Sequence, residues 1–100
     1  MLHLLTLHYT ATEQEADPFI RDHVAYLERH HEDGTFLVSG QTIPTSIGGV
    51  IIAHGVDRPA IERIVAQDPF VLNNVAEYTI TTIAPGRVHP GLSPILTMDR

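Results

Sequence analysis

Seven histidines and no cysteine occur among the 100 residues of this chain. Histidine gains and loses a proton near neutral pH, so its placement is the first guide to chemistry. His23, His30 and His31 all fall in the segment "DHVAYLERHHEDGTFLVSG", residues 22–40, which opens as a helix and closes as a strand. On helical spacing His23 lies beside the Ile20–Val24–Leu27 stripe, at the border between core and solvent. A histidine half out of water can exchange protons with a bound ligand; the competing reading is a border residue that only bonds a carbonyl. Asp68 stands before Pro69 in "AQDPFV", where Asp-Pro ordinarily caps a helical turn.

The other histidines carry weaker expectations. His30 and His31 are adjacent and diverge by about 100° on a helix, and His23 to His31 spans about 12 Å along its axis. No shared metal ion is expected from these three. They read as one border residue and a solvated helix end. His3 and His8 are an odd number of residues apart on a strand and point to opposite faces. His8, at the strand end, with Tyr9, Ser39 and Phe70, is a secondary candidate for lining a substrate pocket; His54 and His89 are left unassigned. Ser39 lacks the G-x-S-x-G setting of a serine hydrolase. "SIGGV" lacks the spacing of a dinucleotide loop, so no cofactor site is expected.

These side chains must be positioned by a simple series of elements. "LHLLTLHY" (2–9) reads as a strand with leucine on both faces, as in an interior strand covered on each side. Asp17-Pro18 reads as the start of a helix, with aspartate at the N-cap and proline in the first turn. Ile20, Val24, Leu27 and His31 form one stripe of it and Phe19, His23, Tyr26 and His30 the neighbouring one, and Gly34 stops it. "TFLVSG" (35–40) and "VIIAHG" (50–55) are strands around a loop rich in Pro, Gly, Ser and Thr. Asp57 and Pro59 open a second helix facing Ile61, Ile64 and Val65 inward, and "AEYTITTIA" (76–84) alternates as a last strand. The tail, residues 85–100, is irregular, with "PILTM" able to lie along a sheet edge or a partner.

The order βαββαβ is the split βαβ of the α+β ferredoxin-like fold, with an antiparallel sheet and two helices on one face. The other face needs cover, and a second copy, sheet face against sheet face, would supply it. A single domain is expected, residues 1–84 with the tail belonging to it or to a dimer contact. All six basic residues are scattered arginines in a chain of net charge −6, which argues against nucleic-acid binding. No run approaches the ~18 apolar residues of a membrane span, and the N-terminus lacks the features of a signal peptide. A soluble cytoplasmic protein is the expectation.

In this order the residues resemble the YciI-like family of dimeric α+β barrels. The resemblance rests on the short first strand, the helix with a histidine at position 23, "HEDGTFLVSGQ", and "AQDPFV", which is similar to that family's A-x-D-P-[FY] signature. It covers about residues 2–84 and implies a homodimer whose pocket holds His23 and Asp68 as proposed catalytic residues. It further implies cofactor-free chemistry on small cyclic or aromatic compounds, of the dehydrochlorinase, lyase or isomerase kind. The alternative expectation is a non-catalytic dimer that binds a small ligand or a protein partner.

Overall fold

A computed structural model of the chain describes residues 1–96. Four strands, β1 (Leu2–Tyr9), β2 (Phe36–Gln41), β3 (Gly48–His54) and β4 (Ala76–Ile83), form one antiparallel sheet in the order β2-β3-β1-β4. Helices α1 (Glu13–Ala16), α2 (Ile20–Glu32), α3 (Arg58–Val65), α4 (Pro69–Leu72) and α5 (Ser93–Leu96) accompany it. With α2 and α3 as the two crossovers, this is the expected α+β, ferredoxin-like βαββαβ arrangement.

The sheet alternates as its period of two requires. His3, Leu5 and Leu7 of the central strand β1 are buried on the helix side with Ile51 and Ala53 of β3. His3 is satisfied there by Thr82 Oγ1 and the Val56 carbonyl, each at 2.8 Å, so it is a packing residue. Leu4, His8 and Val38 lie on the opposite face, where Leu4 is 44% and Val38 57% exposed. Edge strand β2 carries a register irregularity between Phe36, which pairs with Ala53, and Val38, which pairs with Ile52. One extra residue reverses the alternation, so that both Phe36 and Ser39 face the helices although three positions separate them.

The entry to α2 corrects the expected start at Asp17-Pro18. Thr12 opens α1 with a reciprocal cap: its hydroxyl accepts the Glu15 N–H at 3.1 Å and the Glu15 carboxylate accepts the Thr12 N–H at 3.0 Å. Asp17 then already has helical backbone angles, which deny it the extended geometry of an N-cap. Residues Asp17–Phe19 form a 3-10 turn that re-aims the chain before α2 begins at Ile20. Gly34 follows the helix at φ 84°, the left-handed geometry that ends helices without a Cβ penalty. Helix α3 starts as expected, with the Asp57 side chain accepting the Ala60 N–H at 2.9 Å.

The face of α2 is also corrected. Tyr26 and His30 are its buried residues, whereas Ile20 and Val24 are each more than two-fifths exposed. The helix therefore seats the stripe of Tyr26 and His30 on the sheet and turns the Ile20–Val24 stripe toward a cavity. His30 is thus not part of a solvated end: it packs between Tyr26 and Phe36, with ring centroids 5.0 Å from each. In the tail, Pro94–Leu96 fall in α5, while Thr97 and Met98 of the expected "PILTM" segment lie outside the described residues.

Candidate active site

Helix α2 and the short helix α4 meet at one end of the sheet, and their meeting is fixed by a single carboxylate. Asp68 is fully buried and adopts the extended N-cap geometry that the following Pro69 favours. Its Oδ1 accepts the Phe70 N–H at 2.9 Å, capping α4. The same oxygen is 2.8 Å from His23 Nδ1, and Oδ2 accepts the Tyr78 hydroxyl at 2.6 Å. The carboxylate accepts all three bonds, so Nδ1 carries a proton, and in the neutral ring Nε2 presents its lone pair. Nε2 has no protein partner among the described residues, yet it is not a sealed atom, since only His30 Nε2 is both buried and unpartnered.

The imidazole is held in plane as well as in tautomer. It stacks on Phe70 with ring centroids 4.0 Å apart and 3° between planes. Phe70 is itself 2% exposed, so the stack rests on a rigid base. Tyr78, on β4, faces inward through the alternation of its strand. Burial, the Tyr26 hydroxyl and the Asp68 carboxylate push its phenol far above the ordinary value, so it stays a proton donor to Asp68. Tyr26 is likewise raised, first by burial and then by Asp68, and its hydroxyl donates to the Ile64 carbonyl at 2.9 Å.

His23 opens onto a cavity of about 280 Å³ between α2 and the sheet. Tyr9, Phe70 and the exposed stripe of α2 supply apolar wall, while Ser39 and Gln41 supply polar edge. Gly48 and Gly49 line the side near Leu7. Gly48 sits at φ 145°, and a Cβ there would stand 1.8 Å from the Leu7 carbonyl oxygen. The backbone can approach β1 this closely only because the residue is glycine. Burial raises the Tyr9 phenol, with Glu13 and Asp17 adding to the shift.

The structure brings together His23 and Asp68, and places Tyr9, Ser39 and Phe70 around the same cavity. His8 is excluded from it, because strand alternation puts it on the other face, where its Nε2 meets Thr79 Oγ1 at 3.2 Å. The three histidines of α2 go to three separate partners: His23 to Asp68, His30 to Asp33 and His31 to Ser39. Among the described residues no three His, Asp or Glu side chains gather as a metal site. No described helix is long and apolar enough to cross a membrane. Tyr78 is the residue that sequence reading missed. Its signal was a tyrosine at an inward position of "AEYTITT", since a buried phenol needs a partner.

A family model described as the YCII-related domain matches residues 1–84. Among solved structures, the chain is similar to 5-chloro-2-hydroxyhydroquinone dehydrochlorinase from Burkholderia phenoliruptrix AC1100, solved in complex with 2,5-dihydroxybenzoquinone. That likeness has a TM-score of 0.71 at 20% identity and covers 86% of this chain and 96% of that one, which is a likeness of fold. Among curated proteins no sequence matches.

Proposed function

This chain belongs to the YCII-related domain family, and from that premise we propose that it is a small enzyme using His23 as general base and acid on a single-ring substrate. One observation carries the reading: His23 offers an unpartnered Nε2 to a cavity while a fully buried carboxylate holds its Nδ1–H. In that state Nε2 can take a proton from a ring hydroxyl or an acidic ring carbon. Asp68 offsets the positive charge that then forms, and Tyr78 keeps Asp68 in place. The proton can be returned to another position of the ring, an isomerisation, or be lost with a leaving group such as chloride, an elimination. The protein's own groups suffice for either route.

The cavity volume lies at the small end for ligand pockets, a size suited to one ring rather than a drug-sized molecule. The similar dehydrochlorinase was solved with a dihydroxybenzoquinone, which supports an oxygenated ring as the ligand class. The test pairs a thermal-shift panel of phenols, quinols and lactones with an assay of chloride release from 5-chloro-2-hydroxyhydroquinone. Ring compounds should raise the melting temperature, by about 2.7 kcal/mol of stability at 100 times Kd. Turnover should fall by about 10²–10⁴ in His23→Ala. Binding and turnover unchanged in both His23→Ala and Asp68→Ala would remove the assignment.

The reading includes a homodimer joined through the sheet face that carries no helix. Leu4, Val38 and Ile83 are exposed there, with Ile52 between Leu4 and Val38 in the register. Light scattering should give twice the chain mass, and Leu4→Glu should halve it.

A further inference from the structure

Ser39 and His31 form a polar pair that the acid–base reading does not use. Their separation is 2.8 Å, from His31 Nε2 to Ser39 Oγ. Ser39 lines the same cavity as His23 but stands on β2, the edge strand, rather than on α2. Its direction is a built feature. Phe36 pairs with Ala53 and Ser39 with Ile51, and the irregularity between Phe36 and Val38 is what turns Ser39 inward. In an unbroken strand the residue at 38 would face the cavity and Ser39 would face outward. A bulge that re-aims a side chain is a recurrent device beside binding sites.

We propose that Ser39, held in position by His31, is the second polar anchor of the cavity, binding the oxygen of a flat ring at the end opposite the one His23 works on. The proposal rests on the reading of the cavity as a ring-binding site and names the residue that would select among ring compounds. His31 acts through Ser39 and is a positioning residue.

The walls suit one ring. The lining between the two ends is largely apolar or bare backbone, with Leu7, Gly48 and Gly49 on one side and Phe70 on another. A flat ring is the shape such walls admit.

The hydrogen-bonding valence of the pair suits oxygen in either of two forms. When Ser39 donates its O–H to His31 Nε2, its remaining lone pairs accept a ring hydroxyl. When His31 carries its proton on Nε2 and donates to Ser39 Oγ, the serine O–H is free to donate to a ring carbonyl. One side chain thereby accommodates a phenol or a quinone carbonyl without moving.

The test uses two ligands of nearly the same shape, hydroquinone under reducing conditions and 4-methylphenol, which replaces one hydroxyl by a methyl group. Dissociation constants are measured by calorimetry on the full chain. The wild type should bind hydroquinone about fivefold more tightly, the worth of one neutral hydrogen bond. Ser39→Ala should bring hydroquinone to the level of 4-methylphenol and leave the latter unchanged. His31→Ala should lose most of the preference and His31→Gln, whose amide can still bond the serine, should retain it. Equal affinity of the two ligands for the wild type overturns the anchor, as does an equal weakening of both in Ser39→Ala. If those ligands bind equally but lose affinity in His23→Ala, the anchor fails and the ring-binding reading stands. If neither ligand binds, both fail.

Discussion

Helix α2 carries two histidine–aspartate pairs that look alike in distance and differ in everything else. His23 Nδ1 lies 2.8 Å from Asp68, and His30 Nδ1 lies 3.0 Å from Asp33. The Asp68 side chain is fully buried, whereas that of Asp33 is 48% exposed. The order is reversed at the far side of each ring. His23 Nε2 opens on a cavity, while His30 Nε2 is buried without a partner between aromatic rings. A carboxylate at Nδ1 therefore does not by itself make a base. The second nitrogen must have somewhere to deliver a proton, and the carboxylate must be held where solvent cannot take its place.

The contrast is broken most severely at its buried carboxylate. Asp68→Ala removes the cap of α4 and strands the Tyr78 hydroxyl and the His23 N–H, and it should cost about 3 kcal/mol in chemical denaturation. Tyr78→Phe leaves the pair itself intact but unsatisfies one buried carboxylate oxygen. It should cost about 1–2 kcal/mol, and both it and Asp68→Ala should weaken ligand binding. His30→Leu replaces an orphaned nitrogen by apolar surface of similar volume and forfeits only the hydrogen bond to a half-exposed carboxylate. Its stability should stay within about 1 kcal/mol of wild type, with turnover unchanged. The same substitution at His23 should lower turnover by about 10²–10⁴.

The smallest effect is at Asp33. Burial pushes its carboxyl up, but the Thr35 N–H and hydroxyl together with His30 outweigh that and hold it below the ordinary value. A depressed folded pKa gives stability that is complete above the ordinary carboxylate pKa and is lost as pH falls through the lower, folded value. Melting temperature should therefore drop less steeply on the acid side, between about pH 5 and pH 2, in Asp33→Asn than in wild type.

The strands and α3 were legible because alternation and caps are local. "AEYTITTIA" alternates, and Asp57 with Pro59 announces α3. The His23–Asp68 contact was legible only through the resemblance, since 45 residues separate the two and nothing local joins them. The α2 face was misread because Ile20 and Val24 are as apolar as a core stripe. Apolar patterning does not distinguish a wall of packed side chains from the wall of a cavity. The entry to α2 was misread because the Thr12 and Glu15 cap outcompetes Asp17-Pro18. The inward turn of Ser39 depends on an extra residue in β2, which a pattern of period two cannot announce.

Asp68 Oδ1 serves the fold and the site at once, through the Phe70 N–H and His23. A lineage that abandoned the chemistry could let His23 drift, because its ring lies against a cavity. It could not as readily release Asp68, whose loss would undo a cap and strand the hydroxyl of a partly buried tyrosine. Among relatives of this chain, a surviving D-P-F therefore certifies only that the fold is intact. On the proposed reading, the histidine facing it is the residue that would tell a working copy from a retired one.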